Sequence, residues 1–143
     1  RDMILHENTV MGLGDGGAHV GTICDASFIT SLLTHWGRDR VRGEQIDLPT
    51  LVKSQTRDTA LAVDLSDRGT LELGKRADLN VIDFENLNVS VPEIVHDLPA
   101  GGARLQQKSE GYLATICHGS VTYRFGHETE HLPGRLIRKT GVV

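Results

Sequence analysis

The chain has 143 residues, 38% hydrophobic and 24% charged, which suits one ordinary globular domain and excludes a disordered tail. Its formal net charge is −4 with Lys and Arg scattered rather than striped, so nucleic acid is not an expected partner. No apolar run approaches the roughly 20 residues that a membrane span requires, so no membrane association is expected either.

Thr9 to Gly14 reads as a short strand running into a glycine-rich turn, Asp15-Gly16-Gly17. Cys24 and Cys117, the only cysteines, stand far apart and predict reduced thiols of a cytoplasmic protein rather than a disulfide framework. Asp25 is a good helix N-cap, because its carboxylate can accept free N–H groups of a first turn. Phe28, Ile29, Leu32, Leu33 and Trp36 follow at helical spacing, and Gly37 supplies an expected stop. A second helix is predicted near Asp47-Leu48-Pro49, with Asp47 as cap and proline tolerated in the first turn. Thr56 is an expected cap for a third helix through Ala60, Leu61 and Val63.

After Asp64 the periodicity changes. Leu71, Leu73, Leu79, Val81, Ile82 and Phe84 sit in short runs between Gly69, Gly74 and charged residues, which predicts strands joined by tight turns. Residues 85–111, punctuated by Pro92, Pro99, Gly101, Gly102 and Gly111, are expected to be irregular. Leu113 to Cys117 and Val121 to Phe125 predict a hairpin around His118-Gly119. A polar tail runs from Gly126 to Val143. A lone strand in the front half cannot satisfy its own backbone, so it requires a sheet built from other strands. With the opening Arg1-Asp2-Met3, this creates the expectation that the chain lacks an N-terminal part.

Three motifs bear on chemistry. Gly12 to Gly17 matches the G-x-G-x-x-G pattern of dinucleotide-binding loops, but that chemistry needs a helix to begin at the glycines. Here Gly21, Cys24 and Asp25 intervene, and the downstream acid, Asp39, follows a helix rather than a second strand. His127-Glu128-Thr129-Glu130-His131 matches the H-E-x-x-H pattern of zincin metallopeptidases, in which two histidines one helical turn apart bind zinc. Gly126 before it and Leu132-Pro133-Gly134 after it leave too short a window for that helix, so a loop is predicted. Asp15 is the third. Asp-Gly is a common tight-turn dipeptide, yet the end of a strand followed by a long loop and a helix is where (β/α)-barrels mount catalytic side chains.

Leu13-Gly14-Asp15-Gly16, Leu32 to Trp36, Arg38-Asp39-Arg40, Gly69-Thr70-Leu71 through Gly74, and Ala77 to Asp83 together resemble the end of D-aminoacylases. These are N-acyl-D-amino-acid deacylases of the amidohydrolase superfamily. The hairpin at His118-Gly119 and the closing Gly134-Arg135 are similar to that family's last strands, so the resemblance covers nearly the whole chain. The resemblance implies an α/β fragment. Residues 1–66 would be the last strand and helices of a metal-dependent hydrolase TIM-like barrel, and residues 67–143 the C-terminal share of a composite β-sandwich. It implies hydrolysis of the C–N bond of an N-acyl amino acid, with zinc polarising the amide carbonyl and acidifying a water. Asp15 matches the family's proton-shuttling aspartate, which would touch the metal weakly or indirectly. Gly14, Gly16 and His19 would flank the substrate. The main zinc ligands would lie upstream, since the seven histidines contain no His-x-His. Partners then expected are the N-acyl amino acid, the missing N-terminal part and, through exposed apolar surface near Val10, Phe28 and Leu32, other copies of the chain. One departure stands out: the family places an arginine in the loop after the aspartate, and this chain has no Lys or Arg between Asp15 and Arg38. The rival readings are a zincin peptidase using His127 and His131, and a non-catalytic β-sandwich module.

Overall fold

A computed structural model of the protein describes residues 1–12 and 14–137. Helices fill its first half and strands its second. A short helix α1 (Asp2–Leu5) opens the chain. A 3-10 turn (Asp25–Ser27) then leads into α2 (Phe28–Ser31), which continues as a π-helix (Leu32–Asp39). Helices α3 (Leu48–Gln55) and α4 (Arg57–Ala62) follow. The strands are β1 (Leu79–Ile82), β2 (Asn88–Val89), β3 (Glu93–Leu98), β4 (Gly102–Gln106), β5 (Ser109–Glu110), β6 (Tyr112–Cys117), β7 (Ser120–Arg124) and β8 (His127–Glu128). The expected switch from helix to strand after Asp64 is present.

Asp47 caps α3 as expected: its Oδ2 accepts the Thr50 N–H at 3.0 Å, and Pro49 sits in the first turn. Thr56 precedes α4, but its hydroxyl donates backward to the Val52 carbonyl at 2.8 Å and caps nothing. Gly37 does not stop its helix, which runs on to Asp39 and ends where Arg40 turns extended. The reason for the glycine is packing. A Cβ at Gly37 would lie 3.0 Å from Leu51 Cδ1, so the bare Cα lets the π-helix and α3 approach closely.

Leu32, Leu33, Ile46, Leu51 and Leu87 form the buried core, with Trp36, Ile82, Phe84 and Tyr112 packed against it. Residues of the helical half and of the strand half therefore share one core. Full burial of each such side chain contributes roughly 1.5–3 kcal/mol. Leu32 was expected on an exposed face and is instead buried, because the strand half covers it. Ile29 and Val10 stay about half exposed, at 44% and 53%.

The main sheet is antiparallel in the order β1-β6-β7-β8, and β2-β5 and β3-β4 form separate two-stranded ladders. The predicted hairpin is β6–β7. Its two-residue turn has His118 at φ 50° and Gly119 at φ 80°, the left-handed pair that matches the twist of the flanking strands. Four further expectations are corrected. Residues 85–111 are not irregular but carry β2 to β5. Pro92 immediately precedes β3, and Pro99 with left-handed Ala100 (φ 59°) and Gly101 (φ 73°) turns β3 into β4, so these residues bound strands rather than prevent them. Leu71 and Leu73 belong to no strand, and their side chains are 83% and 106% exposed. Thr9 to Gly12 and Gly14 form no strand, because no described strand lies beside them to share hydrogen bonds. His127-Glu128 is neither helix nor loop but the edge strand β8, paired with β7. The polar tail's last part, residues 138–143, lies outside the described residues, as does Leu13. No helix among the described residues is long and apolar enough to cross a membrane.

Candidate functional site

Asp15 starts two consecutive turns. Its carbonyl accepts the Ala18 N–H at 3.0 Å. The His19 carbonyl then accepts from Thr22 N (2.8 Å), Ile23 N (3.1 Å) and Thr22 Oγ1 (3.1 Å). His19 sits at φ 47° and Gly17 at φ 109°, the left-handed conformations that let a short segment reverse twice. Farther on, the Val20 carbonyl accepts the Leu105 N–H at 2.8 Å, which ties this loop to β4.

Asp25 does not cap the helix that follows it. Its Oδ2 accepts the backbone N–H of Asp15 at 3.1 Å, ten residues earlier. The glycines flanking Asp15 rest on the same place. A Cβ at Gly14 would lie 3.0 Å from the Asp25 carbonyl and 3.1 Å from Phe28 Cδ1; one at Gly16 would lie 3.0 Å from Ala26 Cβ. Bare Cα atoms at both positions thus allow the turn to settle onto the start of the helix. Asp15 and His19 are themselves exposed, and the Asp15 carboxylate has no partner among the described residues.

Several carboxylates of the strand half are paired. Asp78 accepts the His118 N–H at 2.8 Å and pairs with Arg76 at 2.8 Å and Arg68 at 3.3 Å. Burial alone would raise its pKa, but the His118 N–H and the two guanidiniums outweigh that and hold it below the ordinary carboxylate value. Asp83 is held low by the Asn86 side chain and backbone, and Asp97 by Arg104. The segment from Gly69 to Asp83 that carries much of the resemblance is thus a packing device. Gly69, at φ +89°, would place a Cβ 2.9 Å from the Thr56 carbonyl, and Asp78 fastens this segment to the β6–β7 turn.

Arg38, the first cation after Asp15, is committed to the fold. It donates to the carbonyls of Phe84 (2.5 Å), Glu85 (3.0 Å) and Leu87 (2.8 Å), and pairs with Asp39 at 2.7 Å. Sequence reasoning missed this role, and it missed Asp25 as support for Asp15, since neither contact has a local sequence signal. A polar seam joins the same two halves. Thr30 Oγ1 meets Tyr112 Oη at 2.8 Å and receives Ser109 Oγ at 3.1 Å, while Ser27 donates to Gln107.

The described residues do not fit a metal on their own: no three of their His, Cys, Asp or Glu side chains converge. His127 and His131 lie on and just after an edge strand, so the helical zincin arrangement is absent. Cys24 and Cys117 are free thiols. The next helical segment begins only at Asp25, so the Gly12–Gly17 glycines do not themselves open a helix as a dinucleotide-binding loop requires.

A family model described as "Amidohydrolase family" matches residues 1–123, which takes in the Asp15 turn, all four helices and the sheet into β7, and stops before His127. No curated protein and no solved structure gives a match.

Proposed function

The chain belongs to the amidohydrolase family, and from that premise we propose that it serves the hydrolysis of a non-peptide C–N bond, that of an N-acyl amino acid, with Asp15 as general base and acid. The observation that carries the reading is the contrast at Asp15. Its backbone is fastened by Asp25, while its carboxylate is exposed and without a partner among the described residues. A proton shuttle needs both. Asp15 takes a proton from the water that attacks the carbonyl carbon, and gives it to the nitrogen as the C–N bond breaks. The products are a carboxylic acid and an amine, and the carboxylate is restored. Without that proton the nitrogen would have to leave as an amine anion. Gly14, Gly16 and His19 border the substrate.

Zinc, which the resemblance to D-aminoacylases implies, would be held by residues other than these, and no step assigned to this chain passes through it. In this reading residues 1–66 complete a barrel and residues 67–143 a β-sandwich, and exposed Val10 and Ile29 pack against the rest of the enzyme. The substrate's acidic end is not read by the loop after Asp15: it contains no Lys or Arg before Arg38, and Arg38 is already bound to three carbonyls. The test is amine release by the intact, zinc-supplied enzyme from N-acetyl-D-leucine and from its carboxamide. Turnover of either, with a ratio that His19→Ala leaves unchanged, and none by the isolated 143-residue chain, is the expected outcome. Turnover by the isolated chain, or by neither preparation on either compound, would refute the reading.

A further inference from the structure

We propose that Asp25 is a positioning residue for Asp15. This rests on the reading of Asp15 as the proton shuttle. Three contacts converge on one short stretch at the start of the helix. Asp25 Oδ2 accepts the Asp15 N–H at 3.1 Å. The Cα of Gly14 packs so near Asp25 that an added Cβ would come within 3.0 Å of its carbonyl and 3.3 Å of its Oδ1. The Cα of Gly16 packs equally near Ala26. The residue on either side of Asp15, and the backbone of Asp15 itself, thus bear on Asp25-Ala26.

The carboxylate of Asp25 is the polar side chain in that set, and it acts across ten residues of sequence rather than within its own turn. Asp25 is the first residue of the 3-10 turn, so it could serve the helix end directly; its side chain makes no cap bond there. What it does instead is fix one of the exposed turn's backbone donors. Of the loop's other bonds, Ala18 N to Asp15 O lies within the turn, and Leu105 N to Val20 O ties the loop to β4 beyond it, so neither places the turn as a body against the helix start. Asp25 sets where that body sits, and with it the direction from which the Asp15 carboxylate meets the water and the leaving nitrogen. General acid–base catalysis is sensitive to such placement, since a displacement of about 1 Å can cost about 10²-fold in rate.

Only acceptor geometry is required of Asp25, so its amide should serve nearly as well as its acid. The experiment measures kcat, KM and melting temperature of the intact zinc-supplied enzyme on N-acetyl-D-leucine for D25A, D25N, D15N and D15N/D25A. The expected results are a kcat about 10- to 100-fold lower in D25A with KM and melting temperature near the parent's, recovery of most of that loss in D25N, and little further slowing when D25A is added to D15N. That last comparison isolates positioning, because there is no shuttle left to misplace. Parent-like kcat in D25A, a D25N as slow as D25A, equal slowing by D25A in both backgrounds, or unfolding of D25A would each overturn the proposal. Parent-like kcat in D15N would instead overturn the reading on which it rests.

Discussion

Gly37 offers a quantitative test of how the helical layer is built. Its helix continues past it to Asp39, and the glycine is not in a left-handed conformation. An added Cβ would meet Leu51 Cδ1 at 3.0 Å, with Leu51 fully buried. In the parent protein, Gly37→Ala therefore combines two terms of opposite sign. Overpacking against Leu51 costs about 1–3 kcal/mol, and the gain of a better helix former returns about 0.5–1 kcal/mol. The net expectation is a loss. Leu51→Ala alone costs about 2–5 kcal/mol, the transfer and cavity terms of a buried leucine. In the double variant the clash is gone and the new methyl partly fills the space. The combined loss should fall short of the sum by about 1–3 kcal/mol, the overpacking term itself. Urea unfolding followed by the fluorescence of Trp36, the one tryptophan in the sequence, gives the four midpoints needed. Additive losses would refute the contact.

Gly111 sits at φ +92° with a prospective Cβ only 2.6 Å from Leu87 Cα, so Gly111→Ala should destabilise by roughly 2–5 kcal/mol, read as a shifted urea midpoint; an unchanged midpoint would contradict the packing described. Asp78 has its pKa depressed in the folded state, so its stabilising contribution is full above the ordinary carboxylate value near 4 and is lost as pH falls through the lower folded value. Asp78→Asn should accordingly flatten the acid limb of a stability-against-pH curve below about pH 4, and an unaltered limb would count against the assignment. Because His127 and Glu128 form an edge strand, replacing His127 and His131 by Ala should leave the zinc content of the intact enzyme unchanged by metal analysis; loss of one equivalent would revive the zincin arrangement.

What the sequence disclosed depended on whether the signal was local. The Asp47 cap and the β6–β7 hairpin rest on residues within a few positions of one another, and both are where periodicity and turn chemistry put them. The strands between residues 85 and 111 were hidden because Pro92, Pro99 and Gly101 look like breakers when read in isolation. They lie between strands, where a missing N–H or a positive φ costs nothing. Gly37 and Asp25 misled for the opposite reason. Each has a familiar local role, stop or cap, but a distant partner claims it: Leu51 in one case and the Asp15 backbone in the other. The Asp15 turn itself was legible from its glycines and its resemblance to a known family. That its backbone is braced and its carboxylate left open could be learned only from the fold.

The most direct test of the central claim is kcat for the intact, zinc-supplied enzyme carrying Asp15→Asn, measured with its zinc stoichiometry and melting temperature. Asn preserves the turn and its N–H to Asp25 but cannot accept the water's proton. The expected result is a fall in kcat of at least about 10²–10⁴-fold, with zinc content and melting temperature close to the parent's. A kcat near the parent's would contradict it, and a collapse in melting temperature alongside lost activity would show Asp15 to be a turn residue and no more.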